Sequence, residues 1–212
     1  MATNDVSILN YVTDSYKQLQ GFSSTVRSSF AEATAGASGI AFYDSNYYTG
    51  EITNDKMKKR SGFSATVLDS FTFAGGNSYG LANDNNGNFI VQNDTTDKTY
   101  RHTGFSSTVS DSFSYSGTSP RDLEWYDGNL YSCNQGNSRY LKHSGFSSTI
   151  TTSLTYPTSN GTGLTFDGSG NLHSYDAGTG VLKKHTGFST TVTDSFSFAS
   201  GLTISFELAA TS

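Results

Sequence analysis

Asp122 and Glu124 stand two residues apart in the stretch TSPRDLEWYDGN, Thr118–Asn129. In an extended strand, residues two apart share a face, so the two carboxylates are expected side by side. Such a pair suits acid–base work, a bound ion or an ordered water chain, because a carboxylate taken out of water is costly unless paired or solvated. Arg121, Trp125 (the only tryptophan) and Tyr79 add cationic and aromatic surface near it.

A second set of polar groups recurs: Asn10, Glu51, Asn93, Asn134 and Asp176 each lie 11 residues before a Gly-Phe-Ser motif. Amide and carboxylate groups repeated in this way could hold a sugar or a cation. They could equally cap turns, as Asn and Asp often do, and the sequence favours neither.

Other groups point away from chemistry. His102, His143 and His185 occupy one repeat position, completed by Arg60 and Leu19, and His173 stands alone. Zinc needs three or four converging ligands, which equivalent positions on separate repeats do not supply. Lys59, Arg101, Lys142 and Lys184, with Gln18, precede that position as a basic belt. DNNGN at Asp84–Asn88 and DGSGN at Asp167–Asn171 hint at calcium but lack the EF-hand spacing and distal Glu, so they read as hairpin turns. The chain contains no H-E-x-x-H, P-loop or paired Cys-x-x-Cys.

The elements that position these groups follow from one repeated hexapeptide. GFSSTV at Gly21 returns in near-copies at Gly62, Gly104, Gly145 and Gly187, at intervals of 41, 42, 41 and 42 residues. A period of this size marks a propeller or a solenoid. Within a unit, TGLTFDG, NLHSYD, VLKKH and VTDSFSF read as four short strands joined by Gly, Asn and Asp turns, which fits a propeller blade. GLTISFE near the C-terminus matches only a first strand, and the N-terminal DVSILNYVTDSYKQLQ matches a second and third. Residues 201–207 are therefore expected to pair with residues 5–11. The reading is an all-β, five-bladed β-propeller of four-stranded blades, residues 1–212 as one domain, with N- and C-terminal strands sharing one blade. Its repeat units run approximately over 24–61, 65–103, 107–144 and 148–186, and the closing blade takes 187–212 plus 1–23. First strands, near Gly39, Gly80, Asp122, Gly163 and Gly201, line the central channel. Asp122 and Glu124 would face into it, with Arg121 paired to a carboxylate and water filling the rest. The hexapeptide then reads as structure: its Gly turns the chain, and its Phe fills the gap between blades.

Composition agrees. The chain has 212 residues, 34% hydrophobic, with 15 Phe and 13 Tyr, so aromatics can build a core where aliphatics are few. A net charge of −5 makes nucleic acid an unlikely partner. The single Cys133 cannot form an internal disulfide. No signal peptide or membrane-spanning run is visible, so a soluble monomer, cytoplasmic or virion-associated, is expected.

The unit GLTFDGSGNLHSYDAGTGVLKKH resembles the NHL/SMP-30-type propeller repeat, in which a Gly-Leu strand precedes an Asp-Gly-x-Gly-Asn turn. Those relatives usually have six or seven blades, so five departs from their pattern. The HTGFSSTV wording is similar to repeats of phage-encoded proteins of unknown function. The leading functional expectation is a non-catalytic module that binds a glycan or a protein surface, without a cofactor beyond an ion or water held in the channel. SMP-30-type propellers include metal-dependent hydrolases, so the resemblance implies an alternative: a hydrolase or lyase using Asp122, Glu124 and His173. A structural viral or assembly component is the third reading. The unequal loops FASG (198–201) and FAEATAGASG (30–39) look natural rather than designed.

Overall fold

The computed structural model describes residues 5–10, 13–33, 36–73, 76–115, 117, 119–156, 161–198 and, as backbone only, 208–210. Twenty strands make five antiparallel four-stranded sheets. The first combines β20 (Leu208–Ala210) with β1 (Val6–Asn10), β2 (Ser15–Leu19) and β3 (Val26–Ala31). The second holds β4 (Ala37–Tyr43), β5 (Asn46–Glu51), β6 (Lys56–Arg60) and β7 (Val67–Thr72). The third holds β8 (Ser78–Asn83), β9 (Phe89–Asn93), β10 (Lys98–His102) and β11 (Val109–Ser114). The fourth holds β12 (Pro120–Tyr126), β13 (Asn129–Asn134), β14 (Arg139–His143) and β15 (Ile150–Thr155). The fifth holds β16 (Gly161–Phe166), β17 (Leu172–Asp176), β18 (Val181–His185) and β19 (Val192–Ser197). Among the described residues there is no helix.

The innermost strands β4, β8, β12, β16 and β20 neighbour one another in that order, and β20 meets β4 again. The fold is a five-bladed β-propeller whose closing blade is built from both ends of the chain. The closing register differs from expectation. Leu208 pairs with Ile8 and Ala210 with Val6, whereas 201–207, the expected partner, lies outside the described residues. Ladder bonds are made by backbone, which both segments carry, so strand-like wording alone cannot choose between them. Each written repeat begins in the outer strand of one sheet and supplies three inner strands to the next. Residues 24–61, for instance, run from β3 through β6.

The hexapeptide forms the same corner five times. Its glycine takes positive φ each time, between 56° at Gly62 and 61° at Gly21, where a side chain would be strained. Its first serine (Ser23, Ser64, Ser106, Ser147, Ser189) donates to a carbonyl three residues back at 2.7–2.8 Å. The same hydroxyl accepts the amide of the following threonine.

The phenylalanine of the corner meets the outer strand of the preceding blade edge-on. Phe22 contacts Phe196, Phe63 contacts Phe30 and Phe105 contacts Phe71 at 4.9 Å, and Phe146 contacts Phe113 at 5.0 Å. Such ring pairs contribute about 0.5–1.5 kcal/mol beyond area burial. At the fifth interface the outer strand offers Leu154 instead, beside Phe188. Behind each pair lies the last residue of the third strand: Leu19, Arg60, His102, His143 or His185, all buried. At the closing interface Arg60 stacks over Phe30, donates to Thr49 Oγ1 at 2.9 Å and pairs with Glu32. Lys58 joins Glu32 to Glu51 at 2.9 and 2.7 Å.

Phe105→Ala is expected to cost about 2 kcal/mol, as a half-buried ring and its interblade contact are lost. Chemical denaturation checks this, with Ser107→Ala changing little. Burial also lowers the pKa of His102, His143, His185 and His173, the last to about 4. Their neutral forms stabilise the fold above about pH 6.5, and this contribution is lost as pH falls through the folded values. Thermal melts should show Tm falling from pH 7 to pH 4.5, and His102→Leu, which copies Leu19 of the closing blade, should reduce the fall.

Candidate functional site

Four innermost strands, β4, β8, β12 and β16, carry an irregularity near their starts. The register shifts between Ala37 and Gly39, Tyr79 and Leu81, Pro120 and Asp122, and Gly161 and Gly163. The bulge lets the inner strands approach closely. A Cβ on Gly80, at φ 65°, would meet the Asp122 carbonyl carbon and the Leu123 nitrogen at 2.9 Å. In β12 the bulged residue is Arg121, which re-aims its side chain.

Asp122 and Glu124 both reach across to β16. Asp122, 1% exposed, accepts the Leu123 amide at 2.8 Å and the Leu164 amide at 2.7 Å. Its carboxylate therefore stitches two innermost strands where a backbone carbonyl would otherwise serve. Glu124 accepts the Trp125 amide at 3.1 Å and the Thr165 hydroxyl at 2.7 Å. Burial pushes the Glu124 carboxyl up to about 8. The two hydrogen bonds oppose that rise without cancelling it.

Arg121 does not pair with either carboxylate, contrary to expectation. Its Nε donates to Gln135 Oε1 at 2.6 Å, and its guanidinium lies 5.3 Å from the Tyr79 ring centre. Arg121 is the bulged residue of β12, and Gln135, in the loop after β13, takes up its side chain. Arg121 and Tyr79 thus sit near the starts of the innermost strands, and Glu124 and Trp125 near the ends.

Beside Glu124 the channel opens into a cavity of about 270 Å³ at the mouth formed by the first-to-second strand turns. Trp125, Tyr126, Asn83, Asn85 and Asp167 share its walls. Asn83 Oδ1 accepts the Asn85 amide at 2.8 Å, which leaves the Asn85 side chain exposed at the rim. The DNNGN and DGSGN turns close hairpins here. Asp84 accepts the Asn86 and Asn88 amides at 2.9 and 3.1 Å. Asp167 accepts the Ser169 and Asn171 amides at 3.0 and 2.9 Å. Burial would raise the Asp167 carboxyl, but the Lys184 ammonium at 2.8 Å and the Asn171 and Ser169 donors hold it below the usual carboxylate range. His173 Nε2 lies 3.5 Å from the same Asp167.

Asn10, Glu51, Asn93, Asn134 and Asp176 are all buried at the opposite end of the blades. Each turns toward its own second-to-third strand loop. Asn10, Asn93 and Asn134 accept amides two or three residues ahead at 2.9–3.1 Å. Asp176 accepts those of Gly178 and Thr179 at 2.9 and 3.3 Å. Glu51 accepts from Asn54 at 2.6 Å and pairs with Lys58. The structure brings Glu124 and Trp125 to one cavity and places these five at the other end. Asn83, Asn85, Tyr126 and Asp167 join the cavity without having been singled out from sequence. Their Asn and Asp signals had been absorbed as turn formers. Among the described residues, no three His, Cys, Asp or Glu side chains stand close enough to share a metal ion.

No family model matches the chain, and no curated protein matches it. Solved propellers do. A chain of a nidogen/laminin complex superposes with a TM-score of 0.66 at 16% identity, covering 98% of both chains. A glutaminyl cyclase of Myxococcus xanthus gives 0.63 at 15% identity, covering 85% of this chain and 72% of the other. The WD40 propeller of Doa1 gives 0.62 at 10% identity, covering 92% and 65%. At such identities the likeness shows the propeller fold alone. No helix among the described residues is long and apolar enough to cross a membrane.

The raised Glu124 pKa fixes a pH dependence. The folded state holds its proton above the unfolded value of about 4.5, so the contribution to stability is full below 4.5 and is lost as pH rises through about 8. Glu124→Gln keeps a neutral acceptor for Thr165. The stability advantage of this variant over the parent should grow between pH 5 and pH 8, as read by urea denaturation at each pH.

Proposed function

We propose that this protein is a non-catalytic recognition propeller that binds a carbohydrate at the mouth beside Glu124. The observation that carries this reading is the cavity of about 270 Å³, where Trp125 and Tyr126 stand with Glu124 and the exposed Asn85 amide. A sugar presents apolar C–H faces that stack on aromatic rings and hydroxyls that bond amides and carboxyls, and this wall offers both. When it holds a proton, Glu124 adds a donor to its acceptor oxygen. A rigid ring holds the groups in place before binding, which lowers the ordering cost. The NHL/SMP-30-like wording of the repeat supports kinship with those propellers, and the monomer is the working unit in this reading.

A glycan array followed by calorimetry tests it. Trp125→Ala should weaken the selected glycan at least tenfold in a variant that remains folded, with some loss of melting temperature because Trp125 also packs against the cluster of Leu123 and Leu130. An array without hits, or affinity untouched by Trp125→Ala, would overturn the proposal.

The place of Glu124 in the wall of the mouth cavity, with its carboxyl pushed up by burial, favours a second reading, a hydrolase or lyase in which Glu124 is the general acid. In that case Glu124→Gln abolishes turnover of the bound glycan and leaves its affinity within a few-fold. Turnover surviving the substitution would exclude it.

A further inference from the structure

We propose a second small-molecule site, between the fourth and fifth blades, shaped for a free amino acid with an aromatic side chain. The observation is a break in the interblade contact. Four outer strands place a ring (Phe30, Phe71, Phe113, Phe196) against the next blade, and β15 places Leu154 there. A cavity of about 310 Å³ lies at this interface, walled by Leu154, Tyr140 and Tyr156 on one blade and Leu172 and His185 on the other. The cavity opens to solvent past the exposed Thr190 and Val192, which gives a ligand a way in, and apolar cavities take up aromatic molecules.

The polar end of the cavity is built from the same repeat positions as an ion pair elsewhere. In the second blade Glu51 and Lys58 meet at 2.7 Å. Their counterparts in the fifth blade are Asp176 and Lys183, both in the cavity wall. Asp is one methylene shorter than Glu, and among the described residues Lys183 forms no ion pair with it. Asp176 is 6% exposed; its Oδ1 is held by the Gly178 and Thr179 amides, and its Oδ2 has no hydrogen-bond partner among the described residues. A buried carboxylate oxygen without a donor is costly. A ligand ammonium placed against Oδ2 supplies the donor, and a ligand carboxylate beside it answers Lys183. The ring then fills the place that phenylalanine occupies at the other four interfaces. Ser174 and His185 Nε2, 2.8 Å apart, form part of the floor. Ser132 and His143 make the same bond at 3.0 Å in the fourth blade, so this pair is framework rather than a nucleophile.

The repeat supplies variants that the fold accepts. Leu154→Phe installs the residue of four other outer strands, and Asp176→Asn installs that of Asn10, Asn93 and Asn134. Isothermal calorimetry with L-phenylalanine at millimolar concentration is the test, with 3-phenylpropionate as the probe that lacks the ammonium. Binding by the parent should disappear in Leu154→Phe and weaken at least tenfold in Asp176→Asn, with both variants melting as folded proteins. Absence of binding by the parent, binding retained in folded Leu154→Phe, or phenylpropionate binding as tightly as phenylalanine would each overturn the proposal. None of these outcomes bears on the glycan reading, because Trp125 and Leu154 lie in separate cavities.

Discussion

Closure of the ring rests on one contact, the phenylalanine of each corner set edge-on against the outer strand of the blade before it. A four-stranded sheet with polar outer strands cannot bury both faces alone. The faces must be pressed together in sequence around an axis, and spacing between packed sheets is set by the side chains that fill it. Rings at 4.9–5.0 Å in four of the interfaces keep that spacing uniform. Uniform spacing is what brings five inner strands close enough for Gly80 to rest on the backbone of Asp122. The corner serves this contact, since its glycine, serine and threonine fix the direction in which the ring points.

The interfaces are not interchangeable, and charge marks the difference. Four carry a histidine or leucine behind the ring; the one between the closing blade and its successor carries Arg60, Glu32 and Lys58. Removing one member of such a buried set would be costly, because it leaves a buried charge uncompensated. It sits beside the blade that the two ends of the chain assemble.

The architecture was legible in the sequence because it is written as a distance. A constant interval between copies, with turn residues at fixed places inside each, leaves little room for another fold. The blade count, the corner glycines and the role of Phe22 and its copies followed directly. Three things were not legible. The closing register was hidden because ladder bonds belong to the backbone. The partner of Arg121 was hidden because Gln135 lies 14 residues on, in the loop after β13, and gives no local signal. The mouth cavity was hidden because Asn85 and Asp167 serve as turn formers and wall residues at once, and only the first role leaves a local signal. Leu154 is a different case. Its departure from phenylalanine is plain in the letters, but a void is a property of two blades together.

The offset between the written repeat and the folded sheet has a consequence for how such a ring could have arisen. Since a repeat gives one strand to one sheet and three to the next, a tandem duplication of any single copy would insert one complete phase of the circle. The interlocked closing blade would keep both of its contributors. The number of blades is then open to change by unequal recombination, limited by how narrow an axis the glycines and the Asp122 carboxylate can tolerate.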